Sequence, residues 1–285
     1  MNKWVVNLAA LAAKIFPNKL KRVVYHLGIF TKLIRNSLNR QLPIGISEQT
    51  IAGGPLRGCK FYLDMQSEKD YWLGTYEVSL LESAVKLIQP GWVIYDIGAN
   101  VGYLTVLFAK LTGREGKVYA FEPLPANIER LTKNVEVNGI SEQVIICPYA
   151  IGDRRDEVVF YVGNSDDTGK VESVVSVKEK ENNEKITVEM ISLDEFVEQG
   201  NDCYPQLIKI DIEGAEILAI KKMKTILQEI KPIIIIEIHS KDAGQIVWNE
   251  LAKYNYKVNK LDKPKEILLD GTSIAKRDYL LGLPL

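Results

Sequence analysis

The segment from Val93 to Tyr103 most constrains how this chain can fold. It begins as an apolar strand that ends at Asp96, and it opens an apolar helix after the turn Gly98-Ala-Asn-Val-Gly102. Glycine permits a left-handed backbone and a close approach of ligand to main chain, and the asparagine between the two glycines tolerates the same conformation. A strand, a glycine turn and a helix in this order predict a nucleotide-binding unit.

A second acidic residue follows the next predicted strand. Strand Val118–Phe121 ends in Glu122, twenty residues after Gly102. A carboxylate at this place can accept hydrogen bonds from both hydroxyls of a ribose. The dinucleotide fingerprint Gly-x-Gly-x-x-Gly is absent, because positions 100 and 103 are Asn and Tyr, and a diphosphate would be repelled by Asp96. The pattern favours S-adenosylmethionine, which joins adenosine to a cationic group, over NAD.

Composition bounds the class of protein. The chain has 285 residues, of which 46% are hydrophobic and 26% charged, with a formal net charge of −1. This length suits one large domain with an appendage. The near-neutral charge gives no case for nucleic acid as a partner. Three widely spaced cysteines, Cys59, Cys147 and Cys203, favour buried thiols in a reducing compartment over disulfides or a zinc site.

The N-terminal part differs from the rest in charge. Before Glu48 it carries only basic charges, and its apolar residues recur every three or four positions, which predicts two amphipathic helices broken at Pro17. We predict a basic helical extension over residues 1–50 and the main domain over 51–285, in a cytoplasmic protein. Three interpretations of the extension stay open: a helical cap on the main domain, docking of residues 1–45 to an anionic membrane or a partner protein, and a cleaved signal peptide.

From residue 93 onward, predicted strands alternate with helices, which indicates parallel strands covered by helices on both faces. An insertion between residues 152 and 192 is predicted as a hairpin of strands 172–177 and 186–190 around a charged turn. Two tail segments, 256–259 and 279–281, are predicted to join the sheet antiparallel. The alternating elements are strands 93–97, 117–121, 143–147, 207–211 and 233–238 and helices 102–112, 125–138, 215–229 and 242–253.

Taken together, several motifs resemble the FkbM-type S-adenosylmethionine-dependent methyltransferases over roughly residues 70 to 240. The most specific is Ile208-Lys-Ile-Asp-Ile-Glu-Gly-Ala-Glu216. The others are Gly74-Thr-Tyr-Glu77, Asp96-Ile-Gly-Ala-Asn-Val-Gly102, Phe121-Glu-Pro123, Ala150-Ile-Gly-Asp153, Ser192-Leu-Asp194, Lys231-Pro and Ile236-Glu-Ile-His239. The resemblance implies a class I methyltransferase fold, which is Rossmann-like, with a seven-stranded, mostly parallel sheet. It implies a cofactor site formed by Glu77, Asp96, Gly98, Asn100, Gly102, Glu122, Ala150 and Asp153. Residues 1–50 match none of these motifs.

Acidic residues also cluster at the ends of two later strands. Asp211 ends one strand and Glu237 and His239 end the next, and open parallel sheets bind ligands outside the carboxyl ends of their strands. We assign these three side chains to catalysis, with Glu213 beside them. Asp211 and Glu237 are candidate ligands of Mg²⁺ or Ca²⁺; direct hydrogen bonds to substrate hydroxyls are the alternative. His239 is a base or a surface residue, and Glu216 is expected to cap its helix or to pair with Lys221.

These observations predict methyl transfer from S-adenosylmethionine to a hydroxyl. The resemblance implies a saccharide, a glycosylated compound or a polyketide-type product as acceptor, and therefore a small molecule or glycan as partner. Two alternatives remain at this point. An NAD-dependent oxidoreductase is disfavoured by the missing glycine and by the lack of a Tyr-x-x-x-Lys pair near the third or fourth strand. An inactive scaffold would dock to a membrane or partner through its basic N-terminus.

Overall fold

The computed structural model describes residues 44–162, 169–171, 184–199 and 204–285. This part divides into two compact units, one of residues 44–86 with 133–139 and one of residues 87–132 with 140–285. The helices predicted before residue 44, the strand predicted over 172–177 and Cys203 lie outside the described residues. Among the described residues, no helix is long and apolar enough to span a bilayer.

The first unit contains an antiparallel strand pair. Strand β1 (Ile46–Thr50) pairs with β2 (Lys60–Asp64), and helices α1 (Lys69–Leu73) and α2 (Val78–Leu87) follow. Residues 46–50, which we placed at the end of the helical extension, form a strand instead, because their alternating exposed and half-buried side chains suit a sheet with one face covered.

From residue 87 onward the chain alternates strands and helices. The strands are β3 (Val93–Ile97), β4 (Lys117–Phe121), β5 (Val144–Cys147), β6 (Ala150–Ile151), β7 (Asp156–Val162), β8 (Gly169–Val171), β9 (Glu184–Ile191), β10 (Leu207–Ile210), β11 (Ile233–Glu237), β12 (Tyr256–Lys260), β13 (Lys263–Ile267) and β14 (Tyr279–Pro284). The helices are α3 (Tyr103–Thr112), α4 (Pro125–Val137), α5 (Leu193–Glu198), α6 (Glu216–Ile220) and α7 (Lys241–Lys253), with a π-helical segment at Ile226–Ile230.

The main sheet has the strand order β13-β12-β14-β11-β10-β3-β4-β5. The five strands from β11 to β5 are parallel, and β14, β12 and β13 join antiparallel. The predicted parallel strands and the antiparallel tail are confirmed. The predicted count of seven is wrong by one in the described sheet, because β13 adds an eighth strand whose residues are all exposed and therefore lack an apolar pattern.

A second sheet forms where we predicted a hairpin. Its order is β6-β9-β7-β8. The predicted strand 186–190 is confirmed as β9, but its antiparallel partner is β7, with Asp156 opposite Met190 and Val162 opposite Glu184. The helix predicted over 215–229 is divided. Asp194 accepts hydrogen bonds from the amides of Thr225 and Ile226 at 2.9 and 3.1 Å, and these bonds start a separate helical segment.

The core of the second unit lies between the main sheet and its helices. All four residues of β10 are buried, and β11 is a run of isoleucines before Glu237, as expected for strands covered on both faces. Phe196 of α5 packs edge-on against Tyr95 and Phe121, with ring centroids 5.7 and 4.8 Å away. This packing fixes the central parallel strands, whose carboxyl ends carry the candidate site.

Candidate functional site

The turn after β3 adopts the conformation that its residues predicted. Gly98, Asn100 and Gly102 have φ angles of 74°, 51° and 83°, in the left-handed region that glycine and asparagine tolerate. The amides of Gly98 and Ala99 both donate to the carbonyl oxygen of Phe121, at 3.0 and 2.9 Å. The turn is therefore fixed against the end of β4.

Gly98 is required by the protein itself. A Cβ atom at this position would lie 1.9 Å from the carbonyl oxygen of Asp211, which is far inside van der Waals contact. At Gly102 a Cβ would lie 2.3 Å from Cδ1 of Leu131. The space beside each glycine is therefore filled by another segment of the chain, and the approach of a ligand to the backbone of this turn stays a prediction.

Asp96 has partners inside the protein. Its side chain is fully buried, its Oδ2 accepts a hydrogen bond from Thr105 Oγ1 at 2.6 Å, and its Oδ1 lies 3.4 Å from Nζ of Lys209. The Lys209 ammonium also donates to the carbonyls of Gly98 and Ile97, at 2.9 and 3.2 Å. The Asp96 charge is thus compensated inside the protein, and its contact with a cationic cofactor stays a prediction.

Lys209 is the residue that sequence reasoning missed. It is 2% exposed, and its Nζ also lies 3.8 Å from Asp211 Oδ2. Burial alone would lower the pKa of Lys209, but the carboxylates of Asp96 and Asp211 outweigh burial and raise it, so the ammonium stays charged. The available signal was a single lysine within the apolar strand Leu207–Ile210, since a buried lysine requires an acidic partner.

Glu122 connects the two turns of the predicted adenosine site. It is 5% exposed; Oε2 accepts from the amide of Asn100 at 2.9 Å, and Oε1 accepts from the amide of Leu124 at 3.0 Å and from Asn127 Nδ2 at 3.2 Å. A carboxylate can accept about four hydrogen bonds. These contacts leave acceptor capacity on Oε2 for a ribose hydroxyl, and the binding of both hydroxyls stays a prediction. Burial raises the pKa of Glu122.

The other predicted cofactor residues are placed differently. Ala150 is buried in a small hydrophobic cluster with Leu124, whose backbone amide donates a hydrogen bond to Glu122. Asp153 forms an ion pair with Arg154, in which Oδ1 lies 3.2 Å from Nη1. Glu77 belongs to the first unit, where it precedes α2 with a φ of 40°. The structure therefore gathers five of the eight predicted residues at the carboxyl ends of β3 and β4: Asp96, Gly98, Asn100, Gly102 and Glu122.

The predicted cluster at the ends of β10 and β11 does form. His239 Nε2 lies 3.7 Å from Asp211 Oδ1, 3.8 Å from Glu237 Oε1 and 3.7 Å from Glu213 Oε2. Tyr279 donates its hydroxyl to Glu237 Oε2 at 2.9 Å. The cluster forms because β10 and β11 are parallel neighbours with Ile210 opposite Ile236, so their following residues emerge at one edge of the sheet.

His239 is held from its other side by Glu216. The Glu216 side chain is fully buried, and its Oε1 lies 2.6 Å from His239 Nδ1 and accepts from the Gly214 amide at 2.8 Å. We expected Glu216 to cap its helix or to pair with Lys221; in the structure its ionic partner is His239. Burial alone would lower the pKa of His239, but the hydrogen bond to Glu216 and the charges of Glu216, Glu237 and Asp211 raise it to about 9.

The same cluster has the spacing of a cation site. One oxygen of Asp211, one oxygen of Glu237 and one ring nitrogen of His239 all lie within 4.8 Å of one another. A cation at about 2.0–2.6 Å from each ligand atom holds such atoms roughly this far apart. The arrangement adds His239 to the two ligands that we predicted.

Comparison with known proteins assigns the sequence of this chain to a family. The sequence model of the methyltransferase FkbM domain matches residues 96–258, more than half of the chain. The chain belongs to the FkbM methyltransferase family. It therefore has the class I methyltransferase fold and is an S-adenosylmethionine-dependent methyltransferase. The resemblance drawn from the sequence motifs is confirmed, and the alternative of an NAD-dependent oxidoreductase is wrong.

Individual relatives cover different shares of the chain. The hexuronic acid methyltransferase AglP of Haloferax volcanii is 28% identical over 183 residues, which are 62% of this chain and 69% of that protein. Methyltransferase 1 of Beauveria bassiana is 31% identical over 137 residues, 43% of this chain and 55% of that protein. A crystal structure of methyltransferase FkbM from Methylobacillus flagellatus KT has a TM-score of 0.42 at 14% identity and covers 76% of this chain and 55% of that one.

Proposed function

We propose that this methyltransferase methylates a hydroxyl group of a saccharide or of a glycosylated or polyketide-type product. The observation that carries the proposal is the convergence of Asp211, Glu237 and His239 at the carboxyl ends of β10 and β11, beside the glycine turn of β3. A sugar offers several hydroxyls to such a set of acceptors. The name of the relative AglP, a hexuronic acid methyltransferase, supports an acceptor of this class.

The residues present fit S-adenosylmethionine at the ends of β3 and β4. Glu122 retains acceptor capacity for a ribose hydroxyl, and its other bonds fix the loop through Asn100 and Leu124. Asp96 and Lys209 would hold the shape of the turn without contacting the cofactor. When bound, S-adenosylmethionine supplies a methyl group that its sulfonium centre has already activated.

The chain must remove a proton from the acceptor, because a hydroxyl is a poor nucleophile until its proton leaves. Nε2 of His239 faces the carboxylates of Asp211, Glu213 and Glu237. When His239 is neutral, this nitrogen would accept the proton from the acceptor hydroxyl. With a pKa of about 9, only about one His239 in a hundred is neutral at pH 7. We therefore expect transfer to accelerate with pH up to about 9 if His239 is the base.

A divalent cation is the second route to the same step. Held by Asp211, Glu237 and His239, Mg²⁺ or Ca²⁺ would lower the pKa of a bound hydroxyl. The two routes differ in their response to chelation. Under the metal route, EDTA abolishes turnover and added Mg²⁺ or Ca²⁺ restores it; under the His239 route, EDTA has no effect.

The function is tested by product formation. The purified chain is incubated with S-adenosylmethionine and a panel of uronic acid glycosides, neutral glycosides and polyketide-type alcohols, and methylated product is detected by mass spectrometry. Asp211→Asn and His239→Gln should bind S-adenosylmethionine normally in calorimetry and lower transfer by about a hundredfold or more. Glu195→Gln, which breaks an ion pair with Arg155 on the surface, serves as the control and should transfer normally.

Three results would contradict the proposal. Undiminished transfer by both variants would place the reacting centre elsewhere in the chain. Methylation confined to nitrogen or carbon acceptors in a wider panel would exclude O-methylation. Binding of S-adenosylmethionine without transfer to any acceptor would support the remaining alternative, an inactive scaffold.

A further inference from the structure

We propose that Glu216 is a positioning residue, which fixes the imidazole of His239 with its proton on Nδ1 and its Nε2 directed at the acid cluster. Glu216 is not one of the residues that we assigned to catalysis or to metal binding. The inference rests on the proposed function, because it gives His239 a defined working nitrogen for that reaction. It concerns the orientation and tautomer of His239, and it applies to His239 as a base and as a metal ligand.

The geometry of the Glu216 carboxylate is fixed from two directions. Its Oε1 lies 2.6 Å from His239 Nδ1 and accepts from the Gly214 amide at 2.8 Å. The Gly214 amide reaches this oxygen because the chain passes through left-handed conformations at Glu213 and Gly214, with φ angles of 47° and 100°. A carboxylate anchored by a backbone amide can hold its histidine partner in one orientation.

The chemistry of the pair selects one tautomer. An ionised carboxylate only accepts hydrogen bonds, so at 2.6 Å the proton between the two groups belongs to Nδ1. In neutral His239, the lone pair then lies on Nε2, the nitrogen that is 3.7 to 3.8 Å from Asp211, Glu213 and Glu237. The opposite tautomer would place a proton on Nε2 and make it useless as a base or as a ligand.

The burial of the Glu216 carboxylate is unfavourable for folding stability. Its side chain is fully buried, and its Oε2 has no hydrogen-bond partner among the described residues. A buried carboxylate with an unsatisfied oxygen costs stability, and an apolar side chain of similar volume would avoid that cost. The contact with His239 explains why a carboxylate stands there.

Variants at position 216 separate positioning from structural support. Glu216→Ala removes the acceptor and should lower kcat by about 10- to 100-fold, with KM and S-adenosylmethionine binding nearly unchanged. Glu216→Gln keeps a carbonyl oxygen that can accept from both Nδ1 and Gly214, and should recover most of the lost kcat. Asp194→Ala is the matched control, because it removes another carboxylate that accepts backbone amides; it should lower thermal stability and leave the kcat of the folded enzyme unchanged.

A second readout does not depend on turnover. Nitrogen-15 spectra of the imidazoles at pH 10 report which ring nitrogen carries the proton, and the signal of the other histidine is removed by His26→Gln. We expect the Nδ1–H tautomer in the parent and in Glu216→Gln, and a mixture in Glu216→Ala. An Nε2–H tautomer in the parent, or full kcat in Glu216→Ala, would overturn the inference. If the parent methylates no acceptor, the proposed function fails while the spectra still decide the role of Glu216.

Discussion

Lys209 and Asp96 show how a single residue pair can stabilise the turn beside the site. They are direct partners in the register between β10 and β3, so their side chains project from the same face of the sheet. The ammonium neutralises the buried carboxylate and holds the carbonyls of Ile97 and Gly98. Each charge is tolerable only because the other is present.

Removing the ammonium should therefore destabilise the protein strongly. Lys209→Met keeps a similar volume but leaves Asp96 buried without its counter-ion, and we expect the free energy of unfolding to fall by about 3–5 kcal/mol in urea denaturation. The double variant Lys209→Met with Asp96→Asn removes both charges and should recover part of this loss. A single variant as stable as the parent would show that the pair contributes nothing.

His239 should make stability depend on pH in a specific direction. Its pKa is raised from 6.5 to about 9 in the folded chain, so its contribution is fully present below pH 6.5 and is lost as the pH rises through 9. The free energy of unfolding of the parent, measured from pH 6 to 10, should fall more steeply than that of His239→Gln. Identical slopes would contradict the raised pKa.

The sequence was informative about residues at strand ends and silent about pairs inside the sheet. Asp211, Glu237 and His239 could be placed together because the ends of parallel strands share one edge. The pairing of Asp96 with Lys209 depends on β3 and β10 being neighbours, and that strand order is not encoded in local patterns. The contact of Glu216 with His239 is equally remote, since it joins the start of α6 to the residues after β11.

At the scale of elements, predictions succeeded where an apolar period was strong. β3 and β4 match their predicted bounds, and α3 and α7 begin within one residue of theirs. β7 was missed because the charged run from Arg154 to Glu157 leads into its apolar residues, and β13 because all its side chains are exposed. The break before the π-helical segment depends on Asp194, a contact from a distant helix that periodicity cannot show.

Gly98 lies where the ends of β3 and β10 touch, and substitution of Gly98 by any larger residue should destabilise the protein. Gly98→Ala places a methyl group against the Asp211 carbonyl and also strains a backbone with a φ of 74°. Gly91→Ala is the control, because Gly91 has a φ of 81° and nothing lies within 4 Å of its Cβ position. We expect a loss of about 1–2 kcal/mol from conformation alone at Gly91, and about 1–3 kcal/mol more at Gly98 from overpacking.

Urea denaturation of the two glycine variants measures this difference directly. Equal losses at positions 98 and 91 would mean that the strand ends move apart at little cost. A larger loss at position 98, together with weakened S-adenosylmethionine binding, would show that this contact shapes the turn as well as the sheet.

At the scale of the whole molecule, the basic N-terminus is open to a direct test. Deletion of residues 1–45 leaves strand β1 intact, because it begins at Ile46. We expect the deletion to lower the melting temperature, as for a helical cap whose apolar face packs on the main domain. An unchanged melting temperature with loss of sedimentation on anionic vesicles at low salt would instead support attachment to a membrane surface. Vesicles of neutral lipid serve as the control.

Strand β13 affects how copies of this molecule meet one another in concentrated solution. It forms one edge of the main sheet, and an uncovered edge can recruit a strand from a second copy. Its sequence Lys-Pro-Lys-Glu-Ile is exposed along its whole length, and Pro264 lacks an amide hydrogen to offer. Charge repulsion between lysines and the missing amide donor both oppose edge-to-edge pairing. The polarity that hid β13 from sequence-based prediction therefore also disfavours aggregation through this edge.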